Sequence, residues 1–200
     1  MPMDLDTAHR LRHGTHQAYS AAAQSPTAEH PFPVGEDFAL SLGYPPELLA
    51  SLPRRAAAAF TGVANLHSFA EIPPGSVVLD LGCGAGLDSL IASRRTGPGG
   101  VVIAVDFSSA MLSSAHQSLL ESRLGNIELL QSNAESMPLT RGQIDVVLVN
   151  GIFNLNPWRE AIFHELARLL RPGGRLYAAE LILKAPLPPE EKPAEDDWFA

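Results

Sequence analysis

Residues 77–86 read Val77-Val78-Leu79-Asp80-Leu81-Gly82-Cys83-Gly84-Ala85-Gly86, and the fold class follows from them. The run Val77 to Leu81 has the length and composition of a buried strand. Gly82, Gly84 and Gly86 then stand at every second position. Leu87, Leu90 and Ile91 follow at helical spacing. Strand, glycine-rich bend and helix is how an open α/β sheet builds a pocket at the carboxyl ends of its strands. Glycine lets backbone approach a ligand closely and accepts φ angles that other residues resist. The dinucleotide fingerprint is Gly-x-Gly-x-x-Gly. Here the third glycine comes one residue early, and Leu87 stands where the fingerprint needs glycine.

The pattern repeats downstream. Gly97-Pro98-Gly99-Gly100 marks a turn. Val101 to Val105 reads as a second buried strand, ending at Asp106. A carboxylate there, about 20 residues beyond the glycine bend, can accept hydrogen bonds from ribose hydroxyls. Asp106 could also cap the helix expected over Ser108 to Leu120, but its position relative to the glycine bend favours the ribose role. Ile127 to Gln131 and Ile144 to Val149 read as strands three and four. A helix is expected from Trp158 to Leu170, with Ile162, Leu166 and Leu169 on one face. Pro172 and Gly173-Gly174 are expected to end it and turn the chain into a fifth strand, from about Arg175 to Leu183.

Composition sets bounds. The chain has 200 residues, 46% of them hydrophobic, so it can bury one sizeable core. Its net charge of −8, with 14 basic residues in short pairs, argues against a nucleic-acid partner. No apolar stretch approaches bilayer length, which argues against a membrane partner. Cys83 is the only cysteine, so no intrachain disulfide forms. It reads as a small side chain tolerated in the bend rather than a nucleophile. The polar, histidine-rich N-terminus does not resemble a signal peptide, and the expected location is cytoplasmic.

Three regions follow: a helical and loop extension over 1–35, a core over 36–184, and a Pro/Glu-rich tail over 185–200. A helix is expected from Asp6 to Ala23. His9, His13 and His16 would share its face, but no carboxylate or thiol completes a metal set. They read as solvated, and no metal is expected. Of the central histidines, His67 could border the pocket and His164 reads as structural or solvent-facing; neither is expected to be catalytic.

Gly-x-Gly-x-Gly preceded by Asp80 resembles motif I of class I S-adenosylmethionine-dependent methyltransferases. The resemblance implies a Rossmann-like, doubly wound, mostly parallel sheet and S-adenosylmethionine as cofactor. It places the cofactor against Asp80, Gly82, Cys83, Gly84 and Gly86, with Asp80 acting indirectly. Asp106 would take the ribose, with Phe107 beside it. Ser132-Asn133-Ala134-Glu135-Ser136-Met137-Pro138 resembles the family segment whose acidic residue holds adenine, so Asn133, Ala134 and Glu135 join the set. Asn133 can accept from the adenine amino group without charge; a plain polar loop is the other reading. Asn150, ending strand four, completes the set, and Tyr19 is expected to close the pocket from the N-terminal helix.

A narrower resemblance rests on Leu40-Ser41-Leu42-Gly43-Tyr44-Pro45-Pro46-Glu47, Phe60-Thr61-Gly62-Val63-Ala64-Asn65-Leu66, Gly84-Ala85-Gly86-Leu87-Asp88-Ser89 and Asn150-Gly151-Ile152-Phe153-Asn154-Leu155. These are similar to arsenite methyltransferases over residues 36–184. The resemblance adds Asp88 to the cofactor site. Two positions where that family carries arsenic-binding cysteines are Val63 and Gly151 here. Glycine and valine cannot replace thiolate toward a soft metalloid. The expected activity is direct methyl transfer to a different small molecule, by positioning rather than by a charged catalytic group. A cofactor-binding protein without catalysis is the alternative. An NAD-dependent oxidoreductase is disfavoured by the glycine spacing, and a nucleic-acid methyltransferase by charge. No counterpart of the family's terminal strand hairpin is read after strand five: the sheet is naturally short, the sequence is truncated, or a second subunit covers the edge, and of these a homodimer is the expectation.

Overall fold

The computed structural model of the chain describes residues 4–183. Among these, helix α1 (Leu5–Gln24) leads into three short helices, α2 (Glu36–Ser41), α3 (Pro46–Ala50) and α4 (Arg54–Ala58), and a 3-10 turn at Leu66–Ser68. Strands and helices then alternate: β1 (Val77–Leu81), α5 (Leu87–Thr96), β2 (Val101–Asp106), α6 (Ser109–Ser122), β3 (Ile127–Gln131), β4 (Ile144–Asn150), α7 (Arg159–Leu169) and β5 (Leu170–Ala179). The sheet order is β3-β2-β1-β4-β5, and every pair is parallel. This is the Rossmann-like fold that motif I implies.

The strands form because β1, β2 and β4 are short Val/Leu/Ile runs with both faces covered. Val78, Val102, Val146 and Leu148 pack on one face with Ala92 of α5. Ala104 packs on that face with Leu112 of α6. Leu79, Leu81, Val147 and Val149 point the other way, onto Ile162, Leu166 and Leu169 of α7. The order in which strands are added reverses between β1 and β4, β2 and β3 lying on one side and β4 and β5 on the other. Such a switch point leaves a crevice outside the carboxyl ends of the strands.

Two expectations need correction. Pro172-Gly173-Gly174 is not a turn ahead of strand five. It lies inside β5 as a bulge, with Gly173 at φ 81° and a register shift between the Ile144 and Val146 pairings. Proline is tolerated there because β5 is an edge strand among the described residues, and Pro172 falls in the bulge, where a missing N–H breaks no ladder bond. β5 also ends at Ala179, before Leu183. The tail read over 185–200, and with it the question of a terminal hairpin, lies outside the described residues. No described helix is long and apolar enough to cross a membrane.

Candidate cofactor cleft

The cleft opens at the switch point and holds about 1010 Å³ of empty space, its mouth included. The glycine bend forms its floor. Gly82, Gly84 and Gly86 have φ of 75°, 53° and 90°, left-handed values that L-residues adopt at a cost. The Gly82 and Cys83 amides donate to the Val105 carbonyl at 2.8 and 2.9 Å, tying the bend to β2. A Cβ at Gly82 would sit 2.1 Å from Ile152 Cδ1, so any other residue would strain the left-handed backbone and push the Ile152 side chain aside. Gly86 caps α5 and turns away from the cleft.

Three buried carboxylates face the space: Asp80 from the end of β1, Asp88 from the first turn of α5 and Asp106 from the end of β2. Asp106 Oδ2 accepts the Gly84 amide at 3.0 Å and Oδ1 accepts the Ser108 amide at 2.8 Å. It is not the cap of α6; Ser108 is, accepting Met111 N–H at 3.2 Å. Burial raises the Asp106 carboxyl to about 6 against the pull of those amides. Asp80 accepts the Ser89 hydroxyl at 2.5 Å. Burial, then the charge of Asp88, push its carboxyl up to about 8.

Asp88 differs. Burial raises its carboxyl, but contacts from His67, Tyr44 and Asn150 outweigh burial and hold it below the ordinary value. Tyr44 donates to Asp88 Oδ1 at 2.6 Å and Asn150 Nδ2 to Oδ2 at 2.9 Å. His67 Nε2 lies 3.3 Å from Oδ1. Asn150 Oδ1 in turn accepts the Val63 and Ala64 amides at 2.8 and 3.2 Å. That segment is pinned so closely that a Cβ at Gly62 would lie 2.5 Å from Asn150 Nδ2.

Helix α1 covers the mouth. Arg12, Thr15 and Tyr19 line the cleft from above. Ser20 and Ser108 hydroxyls are 2.8 Å apart. Tyr19 stacks on Phe32 with ring centroids 4.4 Å apart. Burial, with the charges of Glu180 and Asp106, pushes the Tyr19 hydroxyl well above the usual phenol range. Arg12 lies 5.2 Å over the Trp158 ring and 3.5 Å from Glu135 Oε2. His9 and His16 are not simply solvated. They meet Trp158 and Phe107 edge to face, at 5.4 and 5.2 Å. His13 and His164 are exposed.

Of the residues expected from sequence, Tyr19, Asp80, Gly82, Cys83, Gly84, Asp88, Asp106, Phe107, Ala134 and Asn150 line this one cleft. Asn133 and Glu135 do not. They face a separate shallow groove with Arg12 and Trp158. There Glu135 accepts Asn156 Nδ2 at 2.9 Å. The tight turn from Asn133 to Ser136 aims Ala134 inward and its neighbours outward. The cleft also recruits Arg12, Thr15, Thr61 and Ile152, and Tyr44 and His67 act just behind it. No local periodicity marks these residues.

A family model described as a methyltransferase domain matches residues 72–198. The arsenite methyltransferase of Halobacterium salinarum is 36% identical over 127 residues, 64% of this chain and 32% of that protein. The demethylmenaquinone methyltransferase of Lactococcus lactis is 40% identical over 106 residues, 53% of this chain and 42% of that one. Among solved structures, an arsenic(III) S-adenosylmethionine methyltransferase from Chlamydomonas reinhardtii is 28% identical with a TM-score of 0.56, over 74% of this chain and 49% of that one. The chain spans less than half the length of each of these three relatives. With the glycine bend, the β3-β2-β1-β4-β5 sheet and the family match together, the chain belongs to the methyltransferase-domain family, on the class I S-adenosylmethionine-dependent fold.

Proposed function

We propose that this chain is a methyltransferase that uses S-adenosylmethionine and acts on a small, largely apolar acceptor without a thiolate-bound metalloid. The observation that carries the reading is the convergence of Asp80, Asp88 and Asp106 with the glycine bend in one cleft at the switch point. Arg12 is the single cationic side chain among the lining residues. The residues fit the cofactor: carboxylates suit its cationic methionine end, Asp106 suits a ribose, and Phe107, Met111 and Ala134 suit an adenine face. When bound, S-adenosylmethionine supplies an electrophilic sulfonium methyl.

The chain's part is to position and to exclude water. Asp106, held by two backbone amides, is a fixed acceptor that needs no rearrangement. The bend brings backbone against the ligand. Helix α1 shields the mouth through Thr15 and Tyr19. Phe60, Ile152 and Leu155 give the side beyond Asn150 an apolar wall, which favours an acceptor with an apolar body.

The relatives are named for different acceptors, arsenite and demethylmenaquinone, so relationship alone does not name one. Arsenite is disfavoured by chemistry. Cys83 is the only thiol, it is buried, and burial with the Asp106 and Asp80 charges pushes it well up. Val63 and Gly151 face each other, with an ideal Gly151 Cβ 3.9 Å from Val63 Cβ. That separation is within the range two bridged cysteines occupy, yet here it is filled by methyl groups.

The test is calorimetry with S-adenosylmethionine, followed by turnover to S-adenosylhomocysteine across quinol, phenol, amine and arsenite acceptors. Binding with turnover on an apolar acceptor is the expected result. Binding without turnover on any acceptor would favour the non-catalytic alternative, and absence of binding would sink the reading.

A further inference from the structure

We infer that Tyr44 and His67 are positioning residues that act through Asp88: with Asn150 they fix its carboxylate as an anion in the cleft wall, and so set the pH range over which the cleft binds a cationic ligand. The inference rests on the reading of this cleft as the S-adenosylmethionine site.

Asp88 and Asp80 are neighbouring buried carboxylates lining the same space, at 6% and 2% exposure. Their surroundings are unequal. Asp80 receives one side-chain donor, the Ser89 hydroxyl. Asp88 is met from three elements outside α5. Tyr44 reaches it from the loop between α2 and α3, at 1% exposure, and also donates to the Ala64 carbonyl at 3.1 Å. Asn150 reaches it from the end of β4 and also donates to the Ala64 carbonyl at 2.9 Å. His67 reaches it from the 3-10 turn.

His67 is itself oriented. Arg95 of α5 donates to its carbonyl at 3.0 Å, and Arg95 Nη1 stands 3.5 Å from Nδ1. A guanidinium cannot accept, so Nδ1 is the acceptor and Nε2 carries the proton, 3.3 Å from Asp88 Oδ1 but not aligned for a full hydrogen bond.

The charged and titratable groups facing Asp88 are therefore Tyr44, His67 and Asp80, with Arg95 behind His67 and Asp106 beyond Asp80. Two adjacent carboxylates out of water do not both ionise readily. The unequal donors decide which one carries the charge: Asp88 is held low and Asp80 is pushed up. A sulfonium or ammonium entering the cleft then meets Asp88 as the fixed anion of this pair. Without the Tyr44 hydroxyl or the His67 N–H, burial dominates, Asp88 takes up a proton nearer neutrality, and attraction for a cation fades as pH falls.

The experiment titrates S-adenosylmethionine and S-adenosylhomocysteine, which lacks the sulfonium charge, into the wild-type chain and Tyr44→Phe, His67→Leu and His67→Gln variants at about pH 6 and about pH 8.5. Near-ultraviolet dichroism checks that each is folded. The expected loss for Tyr44→Phe and His67→Leu is roughly tenfold near pH 6. It shrinks toward pH 8.5 and is larger for the sulfonium ligand. Gln, which keeps a donor, should restore most of the His67 effect. A wild-type chain with no affinity for either ligand fails the proposed function and takes this inference with it. A wild-type chain that binds, with variants showing no loss, or the same loss at both pH values and for both ligands, overturns this inference alone.

Discussion

On the β1–β2 side of the cleft, the shaping bonds join residues close in sequence: Ser89 to Asp80 across 9 positions and Gly84 to Asp106 across 22. On the β4 side they are long-range: Tyr44 to Asp88 across 44, Asn150 to Asp88 across 62 and Asn150 to Val63 across 87. The first side is one strand-bend-helix unit closed by the next strand. The second needs the α2–α4 region, the 3-10 turn, α5 and β4 docked together before any of its bonds can form. The β1–β2 half of the cleft is thus a local structure that the fold supports. The β4 half, with the partners of Asp88, is a tertiary structure that the fold creates.

Breaking the local side should give the largest effect. Gly82→Val meets Ile152 at a left-handed φ; strain and overpacking together should destabilise the chain by roughly 2–5 kcal/mol and abolish cofactor binding, read by thermal melting and calorimetry. Next comes Asp106→Ala, which leaves the Gly84 and Ser108 amides without their acceptor. It should weaken S-adenosylmethionine binding by about tenfold or more, with the acceptor KM little changed if the two halves are independent.

Asp80→Asn should separate stability from binding. The folded chain keeps the Asp80 proton up to about pH 8, whereas an unfolded chain releases it near pH 4. The native state binds more protons between those values, so this group's contribution falls as pH rises through the window. The variant should therefore melt higher than wild type at alkaline pH and nearly alike at about pH 4. Its affinity for the cationic cofactor should drop at alkaline pH, where wild type has gained the Asp80 anion beside Asp88 and Asp106. The smallest effect belongs to Asn133→Ala. Its side chain is exposed and turned to the outer groove, so cofactor affinity should change less than about threefold, within the range of surface substitutions. A larger change would mean the 132–136 turn rearranges around adenine.

Much of the fold was legible because its signals are local. β1 and β3 fall where apolar runs place them, and β2 and β4 extend the expected runs only by a terminal Asp106 and Asn150. Asp106 shows the limit: position narrowed it to ribose acceptor or helix cap. The structure gives the cap to Ser108 and binds Asp106 to the bend instead. Gly86 and Asn133 were read from motif position, but which way a glycine cap or a four-residue turn faces depends on packing that a motif does not encode. The bulge at Gly173 was misread because Pro-Gly-Gly signals a turn equally well with or without a neighbouring strand to pair with.

By itself the sequence determined the alternation of strands and helices, the glycine bend and the placing of carboxylates at strand ends, because burial periodicity and backbone freedom act over a few residues. Only the tertiary structure decided that Tyr44, His67 and Asn150 converge on Asp88, that Val63 meets Gly151, and that α1 lies over the cleft with His9 and His16 against aromatic rings. Those contacts join segments whose separation along the chain carries no pattern. They exist because docking apolar faces buries the polar groups between them, and buried polar groups must then find partners in one another.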